Sequence, residues 1–339
     1  MLLTNTTQEL RHCWHVVATT DELGDEPLGV LLLGEPWVVV RLDGIVRAFV
    51  DRCPHRLAPM SAGAVVPGEH GAELQCGYHG WRFDGDARCT AIPALSADDH
   101  IPGRARLVPA FGVAERYGLI WIAPEEPLAD LPTFEWYGAD GYDSAMTELV
   151  RTPVSAAQLV DNFLDIAHFP VVHAGTFGAD EATEVGDLAV ESEPDDLGPG
   201  TLRLRHAHEI VNREDPLVDT GEHPLVQPRV MEYTVKVPFS ARLRIELPLT
   251  GVENTIVVVA SPTGRERTTL FTVLLRNDLR GDAEAARHAV DYEMAVLDED
   301  LAILEHLADA GLPLDLPAQV HTRADKFTAA YRLALRRLL

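Results

Sequence analysis

Short runs of Val, Leu and Ile broken by turn residues dominate the first third of the chain: His15 to Thr19, Val30 to Leu33, Trp37 to Leu42 and Ile45 to Val50. Gly34-Glu35-Pro36 and Asp43-Gly44 separate them, and Asp-Gly between two apolar runs is a tight-hairpin signal. Two further strands, Arg106 to Glu115 and Leu119 to Ala123, are expected around Tyr117-Gly118. The pattern predicts a small antiparallel β domain. A proline-rich acidic stretch from Ala123 to Pro132 has no apolar periodicity, which places a domain boundary there, with residues 1–130 on one side and 131–339 on the other.

The second half changes period. Ser155 and Gln158 form a capping box, with Val154 and Leu159 placed as a hydrophobic staple, so a helix starts just before Asp161. Mostly alternating strands follow over Thr201 to Val211, Val230 to Val237, Arg242 to Leu247, Thr255 to Ala260 and Thr268 to Leu275, as expected of an antiparallel sheet buried on one face. A long helix from about Ala283 to Ala310 and another from Arg323 to Leu338 complete the pattern. The fold class is α+β: an N-terminal antiparallel β domain, then helices on an antiparallel sheet.

Composition bounds the partners. A chain of 339 residues is long enough for two cores, and its formal net charge of -25 argues against nucleic acid or an anionic membrane surface. No run approaches a membrane span, and Met1 to Leu10 lacks a basic start followed by an apolar core, so a cytoplasmic protein is expected. The four cysteines, Cys13, Cys53, Cys76 and Cys89, are too sparse for a disulfide framework. Cys13 and Cys89 have no partner spacing and are expected to be ordinary thiols.

Cys53-Pro54-His55-Arg56 and Cys76-Gly77-Tyr78-His79-Gly80-Trp81 each offer one thiolate and one imidazole. Pro54, Pro59, Gly77 and Gly80 suit rigid loops whose backbone can approach a cofactor. Two Cys and two His can make a structural zinc site, or hold a [2Fe-2S] cluster with both Cys on one iron and both His on the other. Cys-x-His paired with Cys-x-x-His and a following Gly-Trp closely resembles the Rieske signature, unlike the usual zinc-finger order.

A second group lies downstream. On one continuous helix Asp161, Asp165 and His168 would share a face at i, i+4 and i+7. Pro170 removes a donor and pushes Phe169 toward extended geometry, so a bend there is expected to bring His168 and His173 to one point. On the long helix Val296, Leu297, Asp300, Ile303, Leu304 and Leu307 form a stripe whose sole acid is Asp300. Asp298 and Glu299 fall off that stripe and are expected to be solvated. A carboxylate on a buried face is costly unless paired or metal-bound. Asp300 is therefore either the partner of a buried Arg or the third member of a 2-His-1-carboxylate triad with His168 and His173, a set that leaves positions open on Fe(II).

The Rieske motif, the Asp-x-x-His-x-x-x-x-His segment and the C-terminal Asp together resemble the Rieske non-haem iron oxygenase α subunit over nearly the whole chain. The compact size and the spacing of Glu299, Asp300 and Glu305 look most like the branch of vanillate and dicamba O-demethylase monooxygenases. The resemblance implies that Cys53 and Cys76 bind one cluster iron and His55 and His79 the outer one. It implies a mononuclear iron on His168, His173 and Asp300, with Asn162 near it. It makes Asp165 the acid linking a cluster histidine of one subunit to an iron histidine of the next, in a head-to-tail homotrimer that closes as a ring. Electrons would come from NAD(P)H through a ferredoxin, a reductase or both, and no Gly-x-Gly-x-x-Gly fingerprint for a nucleotide occurs in this chain. The implied reaction is O2-dependent hydroxylation or oxidative demethylation of a small aromatic or cyclic substrate, with ring hydroxylation or desaturation as alternatives within the class.

Two rivals stand beside that reading: a zinc-stabilised binding protein, which would be colourless, and a Rieske electron carrier, which would not need Asp300 on a buried stripe. For the substrate, His206 and His208 fall on the Leu202, Leu204 and Ile210 face of their strand and are candidate pocket residues.

Overall fold

The computed structural model describes residues 1–96, 98–174, 176–177, 184–193, 200–212, 215–307 and 309–339, without the side chains at 208, 211 and 216. It divides into two compact units, Gln8–Asp130 and Leu131–Leu339 with Met1–Thr7. The first seven residues therefore leave the unit expected over residues 1–130. Leu2–Leu3 pairs antiparallel with Leu312–Pro313. Asn5 Nδ2 donates to the Arg267 carbonyl and Thr268 Oγ1 at 3.0 and 2.9 Å, while its Oδ1 accepts from Ala156 N. These bonds satisfy buried polar groups of the second unit, and nothing in the local pattern of residues 1–7 announces them.

The unit Gln8–Asp130 consists of three small antiparallel sheets. Leu33-Gly34, Asp43-Gly44 and Tyr117-Gly118 all have two consecutive positive φ angles, the type I′ geometry that matches strand twist in two-residue hairpins. Of the strand expected over Arg106 to Glu115 only Gly112–Arg116 forms a ladder. Arg106 and Pro109 make isolated bridges instead, because Pro109 has no N–H to give. Four strands unmarked by alternation, Ala64–Pro67, Ala72–Gln75, Arg82–Phe83 and Cys89–Ala91, form the sheet that carries the second Cys-His loop.

The other unit is built on an eight-stranded antiparallel sheet. Five of its strands, Thr201–Val211, Val226–Lys236, Ser240–Leu247, Val252–Gly264 and Arg267–Arg276, run as a meander. The helices are α1 (Ala156–Phe163), α2 (Phe169–Val172), α3 (Pro216–Asp219), α4 (Ala283–Leu304) and α5 (Lys326–Leu338). α1 begins at the capping box: Gln158 N donates to Ser155 Oγ and the Gln158 side chain accepts from Ser155 N. None of the described helices is long and apolar enough to cross a membrane.

Three local expectations are corrected. α1 ends at Phe163, so Asp161, Asp165 and His168 do not share one helix face. Asp161 instead makes a two-pronged ion pair with Arg332 of α5, at 2.9 and 2.6 Å. Phe169 is helical rather than extended, since Pro170 sits in the first turn of α2, where its missing N–H would be unsatisfied anyway. α4 stops at Leu304 rather than near Ala310, and its Ile303 and Leu307 neighbours are exposed. Ala289, Glu293, Val296, Leu297, Asp300 and Leu304 make up the inward stripe, Ala289 lining one cavity and the other five a second, with Glu293 on both. The steps of three, four and seven that relate Glu293, Val296, Leu297 and Asp300 are the helical period.

Candidate functional site

Each Cys-His loop closes on itself in the same way. Cys53 N donates to Ala58 O and Leu57 N to Cys53 O; Cys76 N donates to Trp81 O and Gly80 N to Cys76 O, all within 2.8 to 3.0 Å. The fourth residue after each cysteine is left-handed, Leu57 at φ 59° and Gly80 at φ 70°. Holding Leu57 there costs energy that only the surrounding loop maintains. Gly77 is required by space, because a Cβ would lie 2.4 Å from the Ala62 carbonyl oxygen.

The loops put sulfur inside and imidazole outside. Cys53 and Cys76 lie in the apolar core with Val38, Phe49, Met60 and Phe83, whereas His55 is half-buried and His79 exposed. The imidazoles are 4.4 Å apart by ring centroids, and the Trp81 ring stacks on His55 at 4.6 Å and 7°. Burial pushes the Cys53 thiol up to about 11, opposed by the backbone N–H groups of His55 and Arg56 and reinforced by the Cys76 thiol. Amide N–H groups aimed at a buried sulfur favour thiolate. His55 Nδ1 is buried with no hydrogen-bond partner among the described residues. A buried thiol pair faced by amides and an unpartnered imidazole nitrogen fit a group bound on its metal side by two thiolates and two imidazoles.

In the larger unit, α2 is one turn long and separates the histidines, His168 before it and His173 after it. That turn, rather than a break at Pro170, brings both Nε2 atoms together at 3.1 Å. Asp300 Oδ1 completes a triangle at 3.3 Å from each. Donors held at right angles about 2.1 Å from an ion stand about 3.0 Å apart, so the triangle fits one face of a metal's coordination sphere. Asp300 meets these histidines and no arginine among the described residues. Burial would raise its carboxyl, yet the imidazoles of His168 and His173 and the carboxamide of Asn162 hold it well below the ordinary carboxylate range. Burial likewise opposes charge on His168, but Asp165 and Asp300 outweigh it and push the imidazole up to about 9. Without an ion the cluster holds a proton where a metal would displace it.

Around the triangle, His173 is locked and His168 is looser. Glu299 Oε2 accepts from His173 Nδ1 at 2.9 Å and from Thr176 Oγ1 at 2.8 Å. Glu299 is thus not simply solvated, and no periodic signal pointed to it. Asp165 Oδ1 accepts from Ala167 N at 2.8 Å, while its Oδ2 is 3.7 Å from His168 Nδ1, an ion-pair distance rather than a hydrogen bond. Asn162, in the last turn of α1, faces the same pocket.

Comparison with known proteins agrees with this geometry. Residues 13–112 match the Rieske [2Fe-2S] domain, and residues 153–339 match the vanillate O-demethylase oxygenase C-terminal domain. The chain belongs to the Rieske oxygenases. The oxygenase is 30% identical to the methylxanthine N1-demethylase NdmA of Pseudomonas putida, covering 97% of this chain and 89% of that one. It is 37% identical to the dicamba O-demethylase oxygenase component of Stenotrophomonas maltophilia, over 48% of each. It superposes on the structure of Pseudomonas putida CBB5 NdmA with caffeine with a TM-score of 0.82 at 27% identity, covering 98% of this chain and 92% of that one. The family's cofactors are a [2Fe-2S] cluster and a mononuclear iron, its chemistry is oxidoreductase chemistry with incorporation of oxygen, and its members work with a ferredoxin or reductase on small molecules. The zinc and electron-carrier readings fall with that assignment.

The triad of the oxygenase opens into a cavity of about 140 Å³ with a wall of Phe163, Phe169, Phe177, Met231, Leu243 and Ile256. Tyr233 reaches into it fully buried, with a hydroxyl that has no hydrogen-bond partner among the described residues and a phenol pushed up by burial. His206 lines neither described cavity, contrary to expectation: the pairing sets it beside Met231, one strand farther out. The side chain of His208 lies outside the described residues.

Proposed function

We propose that the oxygenase removes a methyl group from nitrogen or oxygen of a small cyclic substrate, and that the triangle of His168 Nε2, His173 Nε2 and Asp300 Oδ1 in the wall of a largely apolar cavity carries the reading. Cys53 and Cys76 hold the inner iron of the cluster and His55 and His79 the outer one; His168, His173 and Asp300 hold the mononuclear iron. When bound, the two groups supply one-electron delivery and activation of O2. The balance is R-X-CH3 + O2 + 2 electrons + 2 protons giving R-X-CH2OH + H2O, after which the hemiaminal or hemiacetal releases formaldehyde and R-XH. The apolar wall positions the methyl-bearing ring and keeps bulk water from the reacting carbon.

The reading is supported by relatives named as N- and O-demethylases. Asp165, beside His168 and 30% exposed at its side chain, is the contact through which a neighbouring subunit's cluster histidine reaches the iron site, in a cytoplasmic homotrimer that does not associate with membranes or nucleic acid. Asn162, which lines the same cavity as Asp300, favours the charged form of its carboxyl.

Purified protein should contain about three irons and two acid-labile sulfides per chain. With a reductase and NAD(P)H it should release one formaldehyde for each substrate consumed. A hydroxylated or desaturated product without formaldehyde overturns demethylation. Asp165→Ala should keep its iron and sulfide and lose turnover; full activity in that variant removes the bridging role.

A further inference from the structure

The triad cavity and a second cavity of about 330 Å³ share a rim. Phe177, Arg229, Ile245, Asn254, Tyr292 and Glu293 line both, whereas His168, His173 and Asp300 line only the first. Phe177 stacks on His173 at 4.7 Å between ring centroids, and the other shared residues join that cavity to the second one. α4 sets the span from Asp300 to Glu293. Glu293 and Asp300 are seven residues apart, two turns along the same face, hence about 10 Å along the axis. Allowing a contact distance at each end, that length holds one flat ring system.

Two polar groups at this rim lack partners among the described residues. Asn254 Oδ1 is buried with no hydrogen bond among them. Glu293 has no hydrogen-bond or ion-pair partner among the described residues; burial, then the charge of Asp300, push its carboxyl up to about 7, with His173 and Arg276 opposing through space. Buried polar atoms are almost always satisfied, so an occupant of the pocket supplies what Asn254 Oδ1 lacks, and the half-buried Glu293 carboxyl beside it lines the same space. The carboxamide of Asn254 offers a donor and an acceptor, and a carboxyl at Glu293 offers the same when protonated.

We propose that Asn254 and Glu293 read the edge of the substrate opposite its methyl group, and that they select a neutral nitrogen heterocycle with a lactam-type edge, a ring carbonyl beside a ring nitrogen. Such an edge presents adjacent donor and acceptor atoms to two side chains that can each do both. A benzoate would instead set a carboxylate beside Glu293 on the stripe that also carries Asp300. The neighbouring cation, Arg229, lies over the Phe177 ring at 5.6 Å from its centroid. The other charged or titratable groups facing this end are Tyr292 on the rim and Arg276, Asp278 and His288 in the outer cavity. The inference rests on the demethylase reading of the same site.

Binding to the iron- and cluster-loaded oxygenase, measured calorimetrically without reductant, tests it. Theobromine and 1-methyluracil, each with a free ring N–H beside a ring carbonyl, serve as lactam probes and 4-methoxybenzoate as the acid. A lactam should bind at least tenfold tighter than the benzoate. Asn254→Leu and Glu293→Leu should each weaken lactam binding at least tenfold with iron and sulfide content unchanged, and Glu293→Gln, which keeps a donor and an acceptor, should stay within threefold of wild type. Tighter binding of the benzoate, no binding of either lactam, a Leu variant within threefold of wild type, or equal loss in the Gln and Leu variants overturns the inference. Lactam binding without formaldehyde on reduction overturns demethylation and leaves the recognition standing. Formaldehyde from methoxybenzoate but not from the lactams overturns the recognition alone.

Discussion

Glu299→Ala should weaken binding of the mononuclear iron by about 10- to 100-fold and leave the cluster in place. The carboxylate accepts the Nδ1 proton of His173 at 2.9 Å, which leaves Nε2 free to face Asp300 and His168. His173 is 1% exposed, so no water replaces the lost acceptor, and the imidazole loses both its tautomer preference and its ring orientation. A hydrogen bond to a charged group contributes about 1.5–3 kcal/mol, which at about 1.4 kcal/mol per tenfold is about one to two decades in affinity. Glu299→Gln keeps an acceptor without the charge and should fall between the variant and wild type. The assay is anaerobic Fe(II) titration of iron-depleted protein against a competing chelator, with the visible absorption of the cluster followed in the same sample. An iron dissociation constant in Glu299→Ala within twofold of wild type would refute the orienting role.

Arg332→Ala leaves the Asp161 carboxylate buried without its two-pronged partner, and denaturant unfolding should show about 3–5 kcal/mol of lost stability; a loss under 1 kcal/mol on that scale contradicts the buried pair. Gly77→Ala drives a Cβ to within 2.4 Å of the Ala62 carbonyl, so acid-labile sulfide per chain should drop while the mononuclear iron stays; normal sulfide would show that the loop has room to move. His15 is buried, its Nε2 2.8 Å from the Leu10 carbonyl, and burial pushes it down to about 4 against that bond. The unfolded imidazole takes its proton near 6.5, so unfolding takes up a proton between those values: stability is full above 6.5 and falls by about 3 kcal/mol on the way down to 4. The pH profile of unfolding should flatten there in His15→Asn, and parallel profiles for the two proteins would count against it.

The regular strands were the most legible part of the fold because each carries its own period. Thr201–Val211 and Leu119–Ala123 alternate or run apolar for long enough to be read alone, and Asp43-Gly44 states its turn type through residues that tolerate positive φ. Segments made by distant partners were not legible. Ala72–Gln75 and Arg82–Phe83 are too short to show a period, and Met1–Thr7 is drawn to the far end of the chain by Asn5, whose bonds join residues 151 and 262 or more positions apart.

The acids of α4 mark where periodicity stops informing the site. Asp300 stands out as an acid between Leu297 and Leu304, and the steps from 289 through 293, 296 and 297 to 300 put Glu293 on the same stripe. Glu293 was therefore readable in principle, hidden only by the number of acids along the helix. Glu299 is a different case. It lies about 100° round the helix from Asp300 and is 25% exposed at its side chain, so its own position identifies it as a surface acid. What makes it part of the site is α2, whose single turn carries His173 and Thr176 to the flank of α4. A helix fixes which of its residues share a face, but which residues matter on the flank is decided by the element that packs there.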